Sequence, residues 1–388
     1  MRVLIAGGGI GGLAAALALA RDGAGVEVLE RAEAFGEVGA GLQLAPNATR
    51  ILHGWGLEAA LARIAFAPQA VEVRDHVDAR LLHRTQLGAA AVARWGAPYL
   101  QVHRADLHAV LLQAARDAGV TVQLAAEASG VRCKGDQVRL EVGGAAREAD
   151  LLVAADGLHS GVRSALFGAT PARFIGETAW RGLVATDRLP PGLIAPAATV
   201  WTGRGRHFVH YYVRGGELVS FVGFTPERAW REESWRAPAR PGEIAAAFAG
   251  WPAPVVGLIA AMEAEGSPGW RWAVHDRAPL ARWRVGRVVL LGDAAHPMPP
   301  FLAQGAGMAV EDAESLARHL RSGDAVETAL AAYAGERKAR TAKVRSWARR
   351  NGRVFHLPRL LRRAAFRAAE LGPWGDLDWL YGSKPSTR

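Results

Sequence analysis

The chain has 388 residues, half of them hydrophobic and 22% charged, enough to build two or three packed domains without covalent staples. Its one cysteine, Cys133, excludes an internal disulfide framework, a CxxC redox pair and any multi-cysteine zinc or iron–sulfur centre, so electron transfer here needs an organic cofactor. The net charge of +10 is concentrated in residues 337–367, which hold twelve Arg or Lys and no acid, and so local an excess argues against a general nucleic-acid partner.

Arg2 and the apolar run ending at Ala20 have the outline of an export signal. Gly7, Gly8, Gly9, Gly11 and Gly12 interrupt that run and weaken its helix, and no uninterrupted apolar stretch reaches bilayer length. A cytoplasmic protein without an integral membrane segment is expected. Val3-Leu4-Ile5-Ala6 reads instead as a buried strand, Leu13 to Arg21 as a helix, and Val26 to Leu29 as a second strand ending at Glu30, 23 residues after Gly7. In the Gly7-x-Gly9-x-x-Gly12 turn between them, Gly7 permits the tight turn, Gly9 the approach of a pyrophosphate, and Gly12 close helix–strand packing. Glu30 is placed to accept hydrogen bonds from a ribose. The strand before, the helix after and the acid beyond favour a nucleotide site over a bare glycine turn, without choosing between FAD and NAD.

Two later strands end in the same way. Leu151 to Ala155 runs into Asp156-Gly157, with Ser160 and Arg163 beyond; Arg287 to Leu291 runs into Gly292-Asp293. In open parallel sheets ligands lie beyond the carboxyl ends of the strands, so both acids can face the crevice of Gly7 to Gly12. Helix capping is the plainer alternative for each. Between them, residues 176–283 hold eight of the 13 tryptophans, among them Trp180, Trp201, Trp230 and Trp235, which suits either a flat substrate or a sheet packed on its own core. Arg181 could pair with a substrate carboxylate, although a structural ion pair explains it as well. In the strand His207 to Val213, alternation puts His207, Val209 and Tyr211 on one face and His210 and Tyr212 on the other. His207 and Tyr211 can therefore meet one small molecule, while a purely structural histidine is the commoner case.

Pro300-Phe301-Leu302-Ala303-Gln304-Gly305-Ala306-Gly307 leads into a helix over Met308 to Leu320, whose first N–H groups suit an anion. Beyond it, Arg337, Lys338, Arg340, Arg345, Arg349, Arg350 and Arg353 read as a solvated helical face; a dimer contact, an anionic membrane surface or electrostatic steering are the alternatives. No GxxxxGK[ST] loop, GxSxG elbow or HExxH pair occurs, and the scattered histidines suggest no metal site. The single GxGxxG argues against a reductase with two nucleotide domains, so NADH is expected to bind transiently.

The ordered trio of Gly7–Gly12 with Glu30, LLVAADGLHSGVR from 151 and VVLLGDAAHPMPPFLAQGAGMAVEDA from 288 resembles the FAD-dependent aromatic hydroxylases, the para-hydroxybenzoate hydroxylase-like flavoprotein monooxygenases. AGLQLAPNATRIL from 40, VHRADLHAVLL from 102, AWRGLV from 179 and HFVHYYVRGGELVSFVG from 207 look like the salicylate, 3-hydroxybenzoate and 6-hydroxynicotinate branch. The resemblance spans residues 2–337. It implies an α/β fold: a Rossmann-like FAD-binding domain from 1–71, 100–175 and 277–337, an inserted antiparallel substrate domain from 72–99 and 176–276, and a basic helical segment over 338–388. It assigns Gly7, Gly9, Gly11, Gly12, Glu30, Arg31 and Arg104 to FAD, with Glu30 and Arg104 on its adenosine side. Asp293 would hold the ribityl–pyrophosphate region, and Gly305, Ala306, Gly307 and Met308 the flavin's pyrimidine edge. Asp156 with Arg163 would serve the pyrophosphate and a passing nicotinamide nucleotide.

Pro300 would sit where dioxygen reacts, His207 would be the base for a substrate hydroxyl, and Tyr211 its hydrogen-bonding partner. Phe301 looks like the salicylate enzymes, since the 6-hydroxynicotinate enzymes carry a histidine there. The implied reaction is NADH- or NADPH- and dioxygen-dependent hydroxylation of a phenolic or heteroaromatic acid through a flavin C4a-hydroperoxide, by a monomer or homodimer. A larger polycyclic or quinolone substrate, epoxidation, and an NADH oxidase without oxygen transfer are the alternatives.

Overall fold

Val3, Leu4, Ile5 and Ala6 would be apolar on both faces of a strand, which is stable only where both faces are covered. In the computed structural model, which describes residues 1–36, 40–169, 171–228, 237–370 and 376–382, the strand Arg2–Ala6 lies inside a sheet. It pairs in parallel with Gly25–Leu29 on one side and Leu151–Ala154 on the other. Val288–Leu290 and Thr121–Gln123 extend the sheet in parallel, and Arg284–Val285 closes one edge antiparallel. Helix Ile10–Arg21 packs against helix Gly305–Arg321 so tightly that a Cβ on Gly11 would lie 3.2 Å from that of Ala309. The second helix begins three residues earlier than its apolar pattern suggests, because the glycines before Met308 form its first turn.

A second, eight-stranded sheet runs in the order 237–238, 270–276, 173–185, 218–226, 206–213, 198–203, 70–75 and 81–86. All neighbours are antiparallel except Ala198–Gly203 with Ala70–Asp75. Phe208, Phe221, Trp180 and Trp201 on one face pack with Val255, Leu258, Ile259 and Met262 of helix Ala253–Ala264. The expected α/β plan with an antiparallel sheet and C-terminal helices is the one observed. The alternation in Arg206–Val213 also holds: Phe208 and Tyr212 join this core, and His210 accepts a bond from Trp201 Nε1 at 3.0 Å. Trp230 and Trp235 lie outside the described residues.

The basic stretch departs from expectation. It is a solvated face only in part: Lys338, Lys343 and Arg353 are exposed, but Arg337, Arg345 and Arg362 are buried, and each of these finds an acid from elsewhere in the chain. On helix Val326–Phe355, Arg337 and Arg340 meet Glu311, and Arg345 and Arg349 meet Asp276. On helix Arg359–Glu370, Arg359, Arg362 and Arg363 converge on Asp75, with Asp78 taking second bonds from Arg359 and Arg363. A charge run in sequence is therefore in part a row of internal fasteners.

His210 is buried, and desolvation pushes its pKa down to about 3. The unfolded chain takes up a proton near pH 6.5 that the folded chain refuses, so His210 costs stability as pH falls below that value, on the order of 2 kcal/mol by pH 5. Thermal unfolding at pH 7 and pH 5 should show a smaller acid-induced drop in midpoint for His210→Gln than for the parent chain.

Candidate functional site

Because Arg2–Ala6, Leu151–Ala154 and Val288–Leu290 are adjacent and parallel, the turns at their carboxyl ends share one edge of the sheet. Gly7 has φ +103°, and a Cβ there would meet Ala155 O at 2.5 Å; one on Gly12 would meet Gly7 O at 1.9 Å. Only glycine permits that crossing. Over Gly9 and Gly305 the space is open, with nothing within 4 Å of a built Cβ. Both helices begin there without a side-chain cap or an acid in the first turn, which leaves orphan N–H donors at the positive ends of two dipoles.

Asp293 makes no hydrogen bond with any described residue. It is reachable by solvent through the cleft, yet protein encloses it enough that burial raises its pKa, against the pull of His296 and Arg104. Arg104 opens helix Arg104–Asp117; burial lowers its pKa and Asp293 opposes the shift. Glu30 accepts from Gly8 N at 2.7 Å and Ala32 N at 2.9 Å, and each oxygen keeps a further lone pair. Arg31 is exposed and pairs with no described residue.

Asp156 accepts from Val162 N at 3.1 Å, and its other oxygen is buried without a partner among the described residues. Capping thus explains half of Asp156, with Ser160 the true N-cap, and none of Asp293. Arg163, 2% exposed, donates to Leu158 O at 2.7 Å and Ala294 O at 3.2 Å. It clamps the two strand-end turns together, and its position is that of a brace for the cleft. Orphan donors at two helix starts, with acids and an unmet carboxylate oxygen between them, fit an elongated group bearing anions and hydroxyls.

Behind the cleft, Arg337 donates to Asp312 and Glu311, both at 2.6 Å, and to Met308 O at 3.3 Å. Asp312 also accepts from Gly292 N at 3.0 Å and bonds His296, while Asn47 joins Glu311 to Gln304. Burial alone would raise Asp312, but His296 and Arg337 outweigh it and hold its pKa at about 2. The network locks Gly305 to Met308 against the Gly292-Asp293 turn.

A cavity of about 190 Å³ adjoins the Pro300 loop. Its wall includes His207, Val209, Phe224, Pro300 and Phe301, with Gln43, Tyr99 and Asn351 as polar members. His207 is 1% exposed, stacks on Phe224 at 4.4 Å and 12°, and meets Phe301 edge-on at 5.3 Å. Burial, then the neighbouring His356, holds its pKa well below 6.5, so at neutral pH it is an uncharged imidazole.

The structure thus brings His207, Pro300 and Phe301 to one wall. Tyr211 stands behind Gln43, bonded to it and to Ser220; burial raises its pKa to about 12. Arg181 is buried with its guanidinium 5.3 Å from the Trp272 ring and does not line the cavity. Nor do the described tryptophans of 176–283 line it; Trp180, Trp201 and Trp251 are core of the second sheet and its helices, and Trp270 is exposed. Gln43 and Tyr99, linked at 2.5 Å, and Asn351 and His356 were not singled out by sequence. Gln43 lies in the AGLQLAP segment that carried the resemblance, whereas Asn351 and His356 sit inside a stretch read for its charge alone.

Arg337→Met would leave Glu311 and Asp312 buried and under-compensated. A loss of about 3–5 kcal/mol is expected, measurable by denaturant unfolding, with Arg353→Met as the near-neutral control.

A family profile described as FAD binding domain matches residues 1–348. The chain is 43% identical over 387 residues, 98% of its length and 96% of the relative's, to 3-amino-4-hydroxybenzoate 2-monooxygenase PtnB3 of Streptomyces platensis. It is 38% identical to a 3-hydroxybenzoate 6-hydroxylase of Polaromonas naphthalenivorans, over 98% of this chain and 95% of that one. Among solved structures, Klebsiella pneumoniae HpxO complexed with FAD and uric acid superposes with a TM-score of 0.84 at 28% identity, over 96% of this chain and 93% of that one.

Proposed function

The chain belongs to the FAD binding domain family, and we propose that it is an FAD-dependent monooxygenase that uses NADH and dioxygen to hydroxylate a single-ring phenolic acid of the hydroxybenzoate or aminohydroxybenzoate class. One observation carries the reading: an uncharged, buried histidine faces a ring-sized cavity next to the loop that opens the uncapped helix Gly305–Arg321. An apolar cavity of roughly 150 Å³ admits benzene, so 190 Å³ suits one substituted ring better than a polycycle. The two relatives named above act, by their names, on such rings.

In this reading residues 1–71, 100–175 and 277–337 form the FAD-binding unit, and 72–99 with 176–276 the substrate unit. The orphan N–H groups around Gly9, Gly11 and Gly12 hold the diphosphate, and those of Gly305, Ala306 and Gly307, with Met308 beside them, the flavin's pyrimidine edge. Glu30, Arg31 and Arg104 serve the adenosine side; Asp156 and Asp293 accept from hydroxyls; Arg163 braces their turns. Bound FAD supplies the activation of dioxygen at the expense of NADH.

The chain's own part is protonic and steric. His207 takes the proton of the substrate hydroxyl, which raises electron density on the ring. Phe224, Phe301 and Phe355 around it, together with Pro300, keep water out. Tyr211 holds Gln43 in place. Among the described residues lining the cavity there is no Arg, Lys, Asp or Glu, so a substrate carboxylate is met by neutral amide donors such as Gln43 and Asn351.

The test is NADH consumption in air by FAD-loaded protein with hydroxybenzoates, aminohydroxybenzoates and hydroxynicotinates, each assayed for peroxide and for a product heavier by one oxygen. Hydroxylated product with NADH, and little with NADPH, is the expected result; consumption indifferent to every aromatic ligand would sink the reading. His207→Gln should lower product formation by roughly 100-fold or more while FAD stays bound. Gly9→Val fills the open space of the cleft, and the purified variant is expected to show little flavin absorbance.

A further inference from the structure

The last residue before the turn between helices Val326–Phe355 and Arg359–Glu370 is not a bystander to the cavity. His356 Nε2 lies 2.7 Å from His207 Nδ1, and His356 Nδ1 lies 3.4 Å from Glu177 Oε1. Since Nδ1 of His207 is taken by His356, Nε2 is the nitrogen left to face the cavity. Glu177 sits where strand Arg173–Ala185 loses register with its neighbour, between Phe174 and Thr178. Such an irregularity re-aims a side chain. Its second oxygen is buried without a partner among the described residues.

We infer that His356 and Glu177 form a proton relay that carries the substrate's hydroxyl proton away from His207; this rests on the proposed hydroxylation. The hydroxyl gives its proton to His207 Nε2. The proton on His207 Nδ1 passes to His356 Nε2, and that on His356 Nδ1 passes to Glu177. The substrate ends as its oxyanion and Glu177 as a neutral acid. Both rings are left uncharged in the opposite tautomer, and no electrons move. Without the relay, His207 would have to keep a positive charge in a dry aromatic box, which its surroundings oppose. Phe224, Phe301 and Phe355 close the other sides of the ring. His356 is thus the titratable group that faces His207, with Glu177 beyond. His356 and Glu177 touch no reacting atom; they are positioning residues acting through His207.

The relay is tested on full-length FAD-loaded enzyme by two readouts. The first needs no substrate: pH titration of the His207 ring by NMR should show a proton shared with His356, and His356→Gln should abolish that coupling. The second is the pH profile of product formation with the hydroxybenzoate that the panel identifies. His356→Gln is expected to lower kcat by roughly tenfold and move the acid limb upward by about one pH unit. KM should change less than about twofold, and added imidazole should restore part of the activity of His356→Ala. Glu177→Gln should lower kcat by a smaller factor. An unshifted limb in His356→Gln, with wild-type kcat in both variants, would overturn the relay. Independent titration of the two rings in the parent enzyme would overturn it as well. A coupled pair in an enzyme that hydroxylates nothing would instead fault the proposed reaction and leave the pair standing.

Discussion

Arg337 carries a guanidinium into the protein interior, where an isolated ion would cost several kcal/mol to dehydrate. Glu311 and Asp312, about two turns into the preceding helix, answer it from two sides, and Arg340 and Asn47 satisfy what Glu311 has left over. Because each of these groups is buried, none can slide without stranding another. That requirement fixes how helix Gly305–Arg321 sits against helix Val326–Phe355. Through Gly292 N and His296 it also fixes the turn that presents Asp293. The orphan N–H donors, the unpaired acid and the Pro300 loop hold their places because the charges behind them cannot be rearranged cheaply.

The same physics, with the opposite outcome, governs the cavity. There the ionisable group is left uncharged: His207 is sandwiched among aromatic rings and near another imidazole, and its proton affinity falls. A base that is neutral at rest and surrounded by apolar rings excludes water without forfeiting the ability to take a proton. The cleft and the cavity thus use burial in two ways, once with charges compensated in place and once with the charge removed.

The cleft proposed to hold FAD was legible as a shape in the sequence because its determinants are local. Gly7 to Gly12, Glu30, Asp156, Asp293 and the glycines before Met308 all sit at the ends of short apolar strands or at the start of a helix, where a few residues dictate backbone shape. The pairing face of Arg206–Val213 was legible for the same reason, since alternation alone separates His207 from His210. The cavity's other walls were not. Gln43, Tyr99, Asn351 and His356 come from four separate segments and meet only through tertiary packing. The basic stretch was misread because a run of arginines looks the same whether it faces water or acids 25 to 288 residues away. Asp75, Asp276 and Glu311 carry no local mark of their partners. Arg181 shows the converse: a motif position weighed for a substrate carboxylate is buried with its guanidinium over Trp272.

The outer wall of the cavity includes Ala365 and Phe366, carried on helix Arg359–Glu370. That helix is anchored at its beginning by three arginines on Asp75 and Asp78. Anchor and lining therefore lie on different turns of one element, remote from the glycine turns of the cleft. For a lineage under selection this separates two inheritances. Substitutions at the lining positions can reshape what is admitted, while the anchor keeps the wall standing and the cofactor apparatus is inherited untouched.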